Sequence, residues 1–324
     1  MIHKLIKILK KIIIVSFGEN VWGKFRRGIN YLLRKTIVPL FGWKIYHKLL
    51  FYFYHEYKLN LKHPETFMEI LQWQKYYGRV EEYAPFVDKY LVRDYVTKTL
   101  GENYLVPLIG VFKEPDSINV ENLPQKFVIK MSHGSGWTII VKDKSKLDWS
   151  EIKLKLEKWL RRNYYDQAGE INYKNITKRL ILIEEYLDTP NDNLIDYKLW
   201  CFNGKFQFIG VHGDRNTEPK GIILDINWNP LPIIYPEIKV WKTIPTKPKN
   251  FVDLVTAAEK LASDFPFVRV DLYSIKEKVL FGELTFSPGD GFNIIFPKEL
   301  DYKFGKLIPL DKYPFIHKHT QNKL

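Results

Sequence analysis

Hydrophobic positions along the chain recur with two periods, and the changes from one to the other mark the elements. Over residues 1–15, Ile2, Leu5, Ile6, Leu9, Ile12 and Ile13 repeat at helical spacing with Lys4, Lys7, Lys10 and Lys11 opposite, which predicts a basic amphipathic helix. Helical spacing returns over 64–77, with Pro64 in a first-turn position and Thr66 able to cap, and over 86–99, where Asp88 can cap. It appears again over 149–165 behind an Asp148/Glu151 capping pattern, and over 251–263. Apolar, β-branched runs predict strands at 105–111, 127–130, 138–141, 180–187, 221–228, 267–273 and 278–285. Residues 196–211 read as a hairpin turning at Asn203-Gly204, since that dipeptide suits the positive φ angles of a two-residue turn. Mostly antiparallel strands with helices between them predict an α+β fold, and no internal repeat or low-complexity linker interrupts it.

Composition sharpens this picture in two places. Of the net charge of +13, residues 1–58 carry +10, from 12 Lys and Arg against Glu19 and Glu56. Basicity is therefore an N-terminal property and does not mark the body of the chain as a nucleic-acid binder. In that segment Trp22, Phe25, Trp43, Tyr46 and the run 51–54 (FYFY) interleave with Arg26, Arg27, Arg34, Lys35, Lys44 and Lys48. Basic residues with interfacial aromatics suit an anionic membrane surface; the same aromatics could equally pack a helical subdomain against the body. Lysines interrupt the apolar run of 1–15 too often for a membrane span, and no signal-peptide pattern is clear. The single cysteine, Cys201, excludes an internal disulfide and a cysteine metal cluster; inside LWCF it reads as a small core residue.

Two stretches carry candidate chemistry. Residues 127–137 run from a strand ending at Lys130 into a loop with His133, Gly134, Ser135 and Gly136, then into another strand. Such a loop can lay its N–H groups over phosphate oxygens beside the lysine, or can simply be a flexible hairpin turn. On the last two strands Arg269 and Asp271 are two residues apart, as are Glu283 and Thr285, so each pair shares a strand face. If the strands pair, two carboxylates and a hydroxyl converge beside an arginine, as a Mg2+ site or as an internal salt-bridge network.

Taken in order, the lysine after Asp88, Lys130 with its glycine loop, a strand ending Glu-Glu-Tyr-Leu, then Arg-x-Asp and Glu-x-Thr before Ser-Pro-Gly resemble the ATP-grasp fold. The combination of PETF, LQW, DKYLVRDYV, HGSGW, DYKLWCFNGK, DRNT, DFPFVRVDLY and FGELTFSPG is similar to its TupA-like branch, associated with teichuronopeptide and other cell-surface polysaccharide synthesis. The resemblance implies two α+β lobes gripping ATP: a basic segment over 1–60, a helical part over 61–125, a glycine-flap lobe over 126–188, a metal and substrate lobe over 189–310, and a tail over 311–324. By the same resemblance Lys89 and Lys130 meet the nucleotide phosphates and 133–136 form the flap. Glu184, Glu185, Tyr186 and Leu187 become the adenine hinge, and Asp196 takes the ribose. Lys198 and Arg215 become further phosphate or substrate contacts, Asp271, Glu283 and Thr285 the Mg2+ ligands, and Arg269 the arginine facing the reacting carboxylate. Many relatives have Asn where this chain has Thr285. The implied activity is ATP- and Mg2+-dependent carboxylate–amine ligation through an acyl phosphate, with Arg269 and Lys130 serving the reaction. The implied substrates are a uronic-acid-type sugar carboxylate and an amino acid or small amine. The setting expected is cytoplasmic, peripheral on the inner face of a bacterial plasma membrane and without nucleic acid. A glycan kinase on the same fold, a polysaccharide glycosyltransferase and a non-catalytic binding protein are the competing functions.

Overall fold

The structure is a computed structural model that describes residues 19–189, 192–214, 218–235, 238–292 and 296–313, with side chains from residue 28 onward except Lys312. The amphipathic helix expected over 1–15 lies outside the described residues. Helix α1 (Glu19–His55) carries Pro39 and breaks at Gly42, whose φ of 77° no regular helix allows. Helix α2 (Phe67–Tyr77) starts as a capping box: Thr66 Oγ1 accepts from the Glu69 N–H at 3.1 Å and the Glu69 carboxylate accepts from the Thr66 N–H. Pro64 thus precedes the helix instead of opening it.

Two expected helices are each divided in two. The span over 86–99 becomes α3 (Ala84–Val87) and α4 (Val92–Thr99), because the Asp88 carboxylate accepts from the N–H groups of Tyr90 (2.8 Å) and Leu91 (3.0 Å). That local turn out-competes helix continuation and frees Lys89 from a helix face. The span over 149–165 becomes α5 (Trp149–Leu160) and α6 (Tyr164–Ala168), since Asn163 caps a new start. Asp148 does cap α5, accepting from the Glu151 N–H at 3.0 Å.

Among the described residues ten strands form two sheets. The first has the order β1-β4-β2-β3, from β1 (Leu108–Phe112), β2 (Phe127–Met131), β3 (Thr138–Val141) and β4 (Ile181–Glu185), all antiparallel. Alternation sends Phe127, Ile129, Met131 and Ile183 into a core shared with Ile152 and Leu156 of α5, which leaves Val128, Lys130 and Glu184 on the opposite face. The second sheet has the order β10-β9-β5-β6-β7-β8, from β5 (Asp196–Phe202), β6 (Lys205–Gly213), β7 (Lys220–Asp225), β8 (Lys239–Val240), β9 (Phe267–Ile275) and β10 (Lys278–Thr285). The β5–β6 hairpin turns at Asn203 (φ 49°) and Gly204 (φ 76°), the left-handed pair expected there.

Helix α7 (Phe251–Ala262) buries Leu254, Ala257, Ala258 and Leu261 in the main core. The opposite face of the sheet, where Trp200, Phe202 and Phe267 point, meets Phe67 of α2, whose ring lies 5.0 Å from Phe202 and 4.7 Å from Phe267. Along that face the aromatic rows give way to charged ones: Arg269 is paired with Trp200 in register, but the next row is Glu283, Asp271 and Lys198, and the next holds Tyr273, Asp196 and His212. Short helix α8 (Lys298–Gly305) holds α2 through Asp301, whose carboxylate accepts from the Met68 N–H at 2.9 Å. Among the described residues no helix is long and apolar enough to cross a membrane.

Candidate active site

The charged rows of the six-stranded sheet and the exposed face of the four-stranded sheet border one cleft of about 560 Å³. Lys89, Lys130, Ser135, Gly136, Glu184, Glu185, Tyr186, Leu187, Asp196, Lys198, Asp271 and Glu283 all line it. These positions come from seven separate stretches of sequence, which the two sheets bring together. His133 and Gly134 sit beside it in the flap, and Arg269 and Thr285 lie one row deeper; Arg215 is outside the described residues. The cleft also includes groups that strand patterns did not single out: Val106, Val128, Ile140 and Leu194 give it an apolar end, and Asp192, Asn193, Asp214, Tyr273 and Gly282 add polar and close-packed walls. The alternation of β2 and β3 was enough to place Val128 and Ile140; the loop residues 192–194 carry no local signal.

The glycine loop connects β2 and β3 as an antiparallel hairpin. Gly136 has φ +74°, and a side chain on Gly134 would meet the Trp137 ring at 2.4 Å, so both glycines are required by geometry. Lys89 is tied to this flap twice: its N–H donates to the Ser132 carbonyl at 3.0 Å and its ammonium donates to the Gly134 carbonyl. Burial pushes the Lys89 ammonium down, against the opposing charge of Glu283. His133 Nε2–H donates to the Trp159 carbonyl (3.2 Å), and burial pushes its pKa below the usual value.

Apart from Lys89, which rests on the flap carbonyl, the cations at the cleft pair with acids. Lys130 pairs with Glu184 at 2.5 Å, and Arg93 approaches the other oxygen of Glu184 at 3.7 Å. Asp271 takes Arg269 Nε at 2.6 Å and Nη2 at 2.7 Å, and pairs with Lys198 as well. Burial alone would raise the Asp271 carboxyl, but Arg269 and Lys198 outweigh it and hold it at about 2. Arg269 Nη2 also donates to Thr285 Oγ1 at 3.0 Å and approaches Glu283 at 3.4 Å, and the Thr285 hydroxyl donates to Glu283 at 3.1 Å. The local arrangement is thus the salt-bridge network that the sequence left open, built on the carboxylates that a metal would use. A group missed in the sequence, His212, sits at the next row; burial first, then Lys198 and Arg269, lower it to about 3. Its ring lies over Gly210 and Gly221, where a Cβ would come within 3.1 Å and 3.2 Å of its nitrogens.

A cleft that gathers three lysines and their acids from two sheets beside a glycine flap agrees with an independent finding. The family model for TupA-like ATP-grasp proteins matches residues 69–309. The chain belongs to the TupA-like ATP-grasp family. No curated protein matches the sequence. Among solved structures, D-alanine–D-alanine ligase from Helicobacter pylori is similar at 18% identity over 75% of this chain and 69% of that one, with a TM-score of 0.43. The Bacillus anthracis D-alanine–D-alanine ligase complexed with ATP is similar at 14% identity, over 62% of this chain and 53% of that one, with a TM-score of 0.37. The ATP-grasp ligase PsnB complexed with minimal precursor, Mg and ADP is similar at 11% identity, over 68% and 58% of the two chains, with a TM-score of 0.34. The chain thus spans 53–69% of the length of these structures.

Mg2+ suits the donor set, which is oxygen only: Glu283 and ionised Asp271 face each other in register, with the Thr285 hydroxyl behind them. Among the described residues no group of three His, Cys, Asp or Glu side chains could hold a metal, so two carboxylates would have to share the ion with substrate phosphates. Because both Asp271 oxygens are engaged, Arg269 or Lys198 must yield one of them to a cation.

Proposed function

We propose that this chain is an ATP- and Mg2+-dependent carboxylate–amine ligase that joins an amino acid or other small amine to a uronic-acid-type sugar carboxylate in cell-surface polysaccharide synthesis. The observation that carries the reading is the convergence of Lys89, Lys130 and Lys198 with Asp271 and Glu283 in one cleft of a family member. ATP would lie with its base between Val106, Val128, Ile140 and Leu194. The Glu185 N–H is already donated to the Pro107 carbonyl at 3.1 Å, so hinge contacts to the base fall to Tyr186 and Leu187. Asp196 would take the ribose. Lys89 and Lys130 would offset phosphate charge, releasing the Gly134 carbonyl and Glu184 to do so. Held by Asp271 and Glu283, Mg2+ would neutralise the charge that develops on the phosphates. Arg269, freed from part of its hold on Asp271, would orient the acceptor carboxylate as it attacks the γ-phosphorus. The flap would keep water from the acyl phosphate that results.

The basic N-terminal region would keep the enzyme beside a lipid-linked acceptor on an anionic membrane. Residues 43–55 support only half of that role. Tyr46, His47, Leu50 and Phe51 are buried against the body, whereas Leu40 (74% exposed) and Phe41 (61% exposed) point outward with Tyr31, Leu32, Ile45 and Leu49. That outward apolar face, next to Arg34, Lys35, Lys44 and Lys48, is the part available to a membrane.

Calorimetry with ATP and with UDP-sugars, each with and without Mg2+, tests the reading. Mg2+-dependent ATP binding that Lys130→Ala weakens supports it. Binding of a UDP-sugar but not ATP would overturn it in favour of a glycosyltransferase. ATP-dependent phosphorylation of a glycan with no amine requirement would establish a kinase instead.

A further inference from the structure

Beyond Lys89 and Glu283, a second polar cluster lies where the loop after α6 meets the Ser287–Gly291 turn that ends β10. Glu170 accepts a hydrogen bond from the Tyr164 hydroxyl at 3.2 Å, and Tyr164 in turn meets the flap's Ser135. Asp290, held at φ 53°, pairs with Lys75, whose ammonium also donates to the Asp290 carbonyl at 2.9 Å. Asn172 bridges the two segments through Ser287 Oγ at 3.5 Å, and Gln72 Nε2 donates to the Asp290 carbonyl at 2.8 Å. The cluster adjoins the proposed metal acids, since the charge of Glu283 acts on both Glu170 and Tyr173.

What remains unmet in this cluster is all of one kind. Gln72 and Asn172 are 0% and 2% exposed, yet Gln72 Oε1 and Asn172 Oδ1 have no hydrogen-bond partner. Both are carbonyl oxygens, which can only accept. Lys75 is taken up by Asp290, so the cluster offers Glu170 no ion-paired cation of its own. Burial, then Asp290, raises the Glu170 carboxyl to about 8, against the opposing pull of Lys75. A phosphate or a carboxylate would worsen every one of these deficits; an ammonium, with one charge and three N–H donors, answers them.

We propose that Glu170 and Asp290 form the subsite for the primary amine donor, with Glu170 as the group that accepts the ammonium proton. The inference rests on the ligase reading above. In the step it serves, the ammonium gives one proton to Glu170 and the free amine attacks the carbonyl carbon of the acyl phosphate. The C–N bond forms as the C–O bond to phosphate breaks, and the second amine proton leaves with the phosphate. Ser135 and Tyr164 connect the flap to Glu170, so the flap conformation that covers ATP also sets the proton acceptor.

The test is calorimetry on the full chain at pH 7 in two buffers of different ionisation enthalpy, with ethanolamine and glycine as amine probes and ethylene glycol and acetate as amine-free counterparts. Wild type should bind the amines only and release about one proton per amine bound as Glu170 ionises. Glu170→Gln keeps the shape and the Tyr164 contact; it should lose about 10- to 100-fold in amine affinity and lose the proton release. Asp290→Asn should weaken the amine by a similar factor and reduce the release without abolishing it, because burial still raises Glu170 after the charge of Asp290 is gone; loss of the release is thus specific to Glu170→Gln. Equal amine affinity and release in wild type and both variants would overturn the proposal, and so would a wild type that binds Mg-ATP but neither amine. Mg-ATP is titrated separately, and the amine titrations are run with and without it: absence of Mg-ATP binding would defeat the ligase reading, whereas amine binding without nucleotide that is lost only in the variants would still establish the subsite.

Discussion

At Asp271 the roles of metal ligand and structural ion meet in one side chain. It is 2% exposed and neutralises both Arg269 and Lys198. Removing a buried partner of this kind costs about 3–5 kcal/mol, because two cations are left without it. Asp271→Asn is therefore expected to lower the melting temperature as well as Mg2+ affinity, as thermal unfolding would show. The Glu283 side chain is 40% exposed and its contacts to Arg269 are long, so Glu283→Gln is the cleaner probe. It should abolish Mg2+-dependent turnover with the melting temperature nearly unchanged; turnover at the wild-type level would remove Glu283 from the metal site. His212 supplies the pH test. Its pKa is depressed to about 3, so the unfolded chain binds the extra proton and stability falls as pH drops from about 6.5 toward 3. Between pH 6.5 and 5 this costs up to about 2 kcal/mol. His212→Asn should show a correspondingly smaller loss of stability over that range in denaturant titrations. Asp271 was legible from its spacing to Arg269, because period-2 alternation puts both on one strand face. His212 was not, because its importance comes from a strand register that pairs it with Asp196.

At the level of elements, the glycine loop is the part most sensitive to a methyl group. Gly136→Ala imposes a left-handed residue at a cost of about 1–2 kcal/mol, and Gly134→Ala drives a Cβ into Trp137. Both are expected to raise the KM for ATP more than they lower global stability, a split that steady-state kinetics and thermal melts resolve. The hairpin at Asn203-Gly204 and the caps at Thr66 and Asp148 could be read locally, since each is decided within four residues. The breaks at Asp88 and Asn163 could not be read from periodicity, because a side chain bonding its own backbone ended a pattern that hydrophobic spacing continued. The break at Asp88 has a chemical result: it turns Lys89 out of the helix and onto the flap.

For the molecule as a whole, nucleotide and membrane would engage different surfaces. A ligand clasped by both sheets at a concentration of 100 times its Kd stabilises the fold by about 2.7 kcal/mol, so Mg-ATP should raise the melting temperature. Leu40→Ser with Phe41→Ser, both outward on α1, should reduce co-sedimentation with vesicles containing phosphatidylglycerol and leave that melting temperature unchanged. Deletion of 1–58 is a poorer test, because it strips the buried Leu50 and Phe51 from the core.

The sequence by itself determined the α+β class, the family, the strand faces that carry Arg269, Asp271, Glu283 and Thr285, and the glycine loop beside Lys130. Those are properties of short-range periodicity and of a motif order along one chain. Only the tertiary structure decided that Lys89 rests on the flap carbonyl while Lys130 and Lys198 rest on acids, that half of α1 packs inward, and that the charge of Asp290 reaches Glu170. Each of these depends on residues from 40 to more than 200 positions apart reaching one another, and no local pattern encodes such a contact.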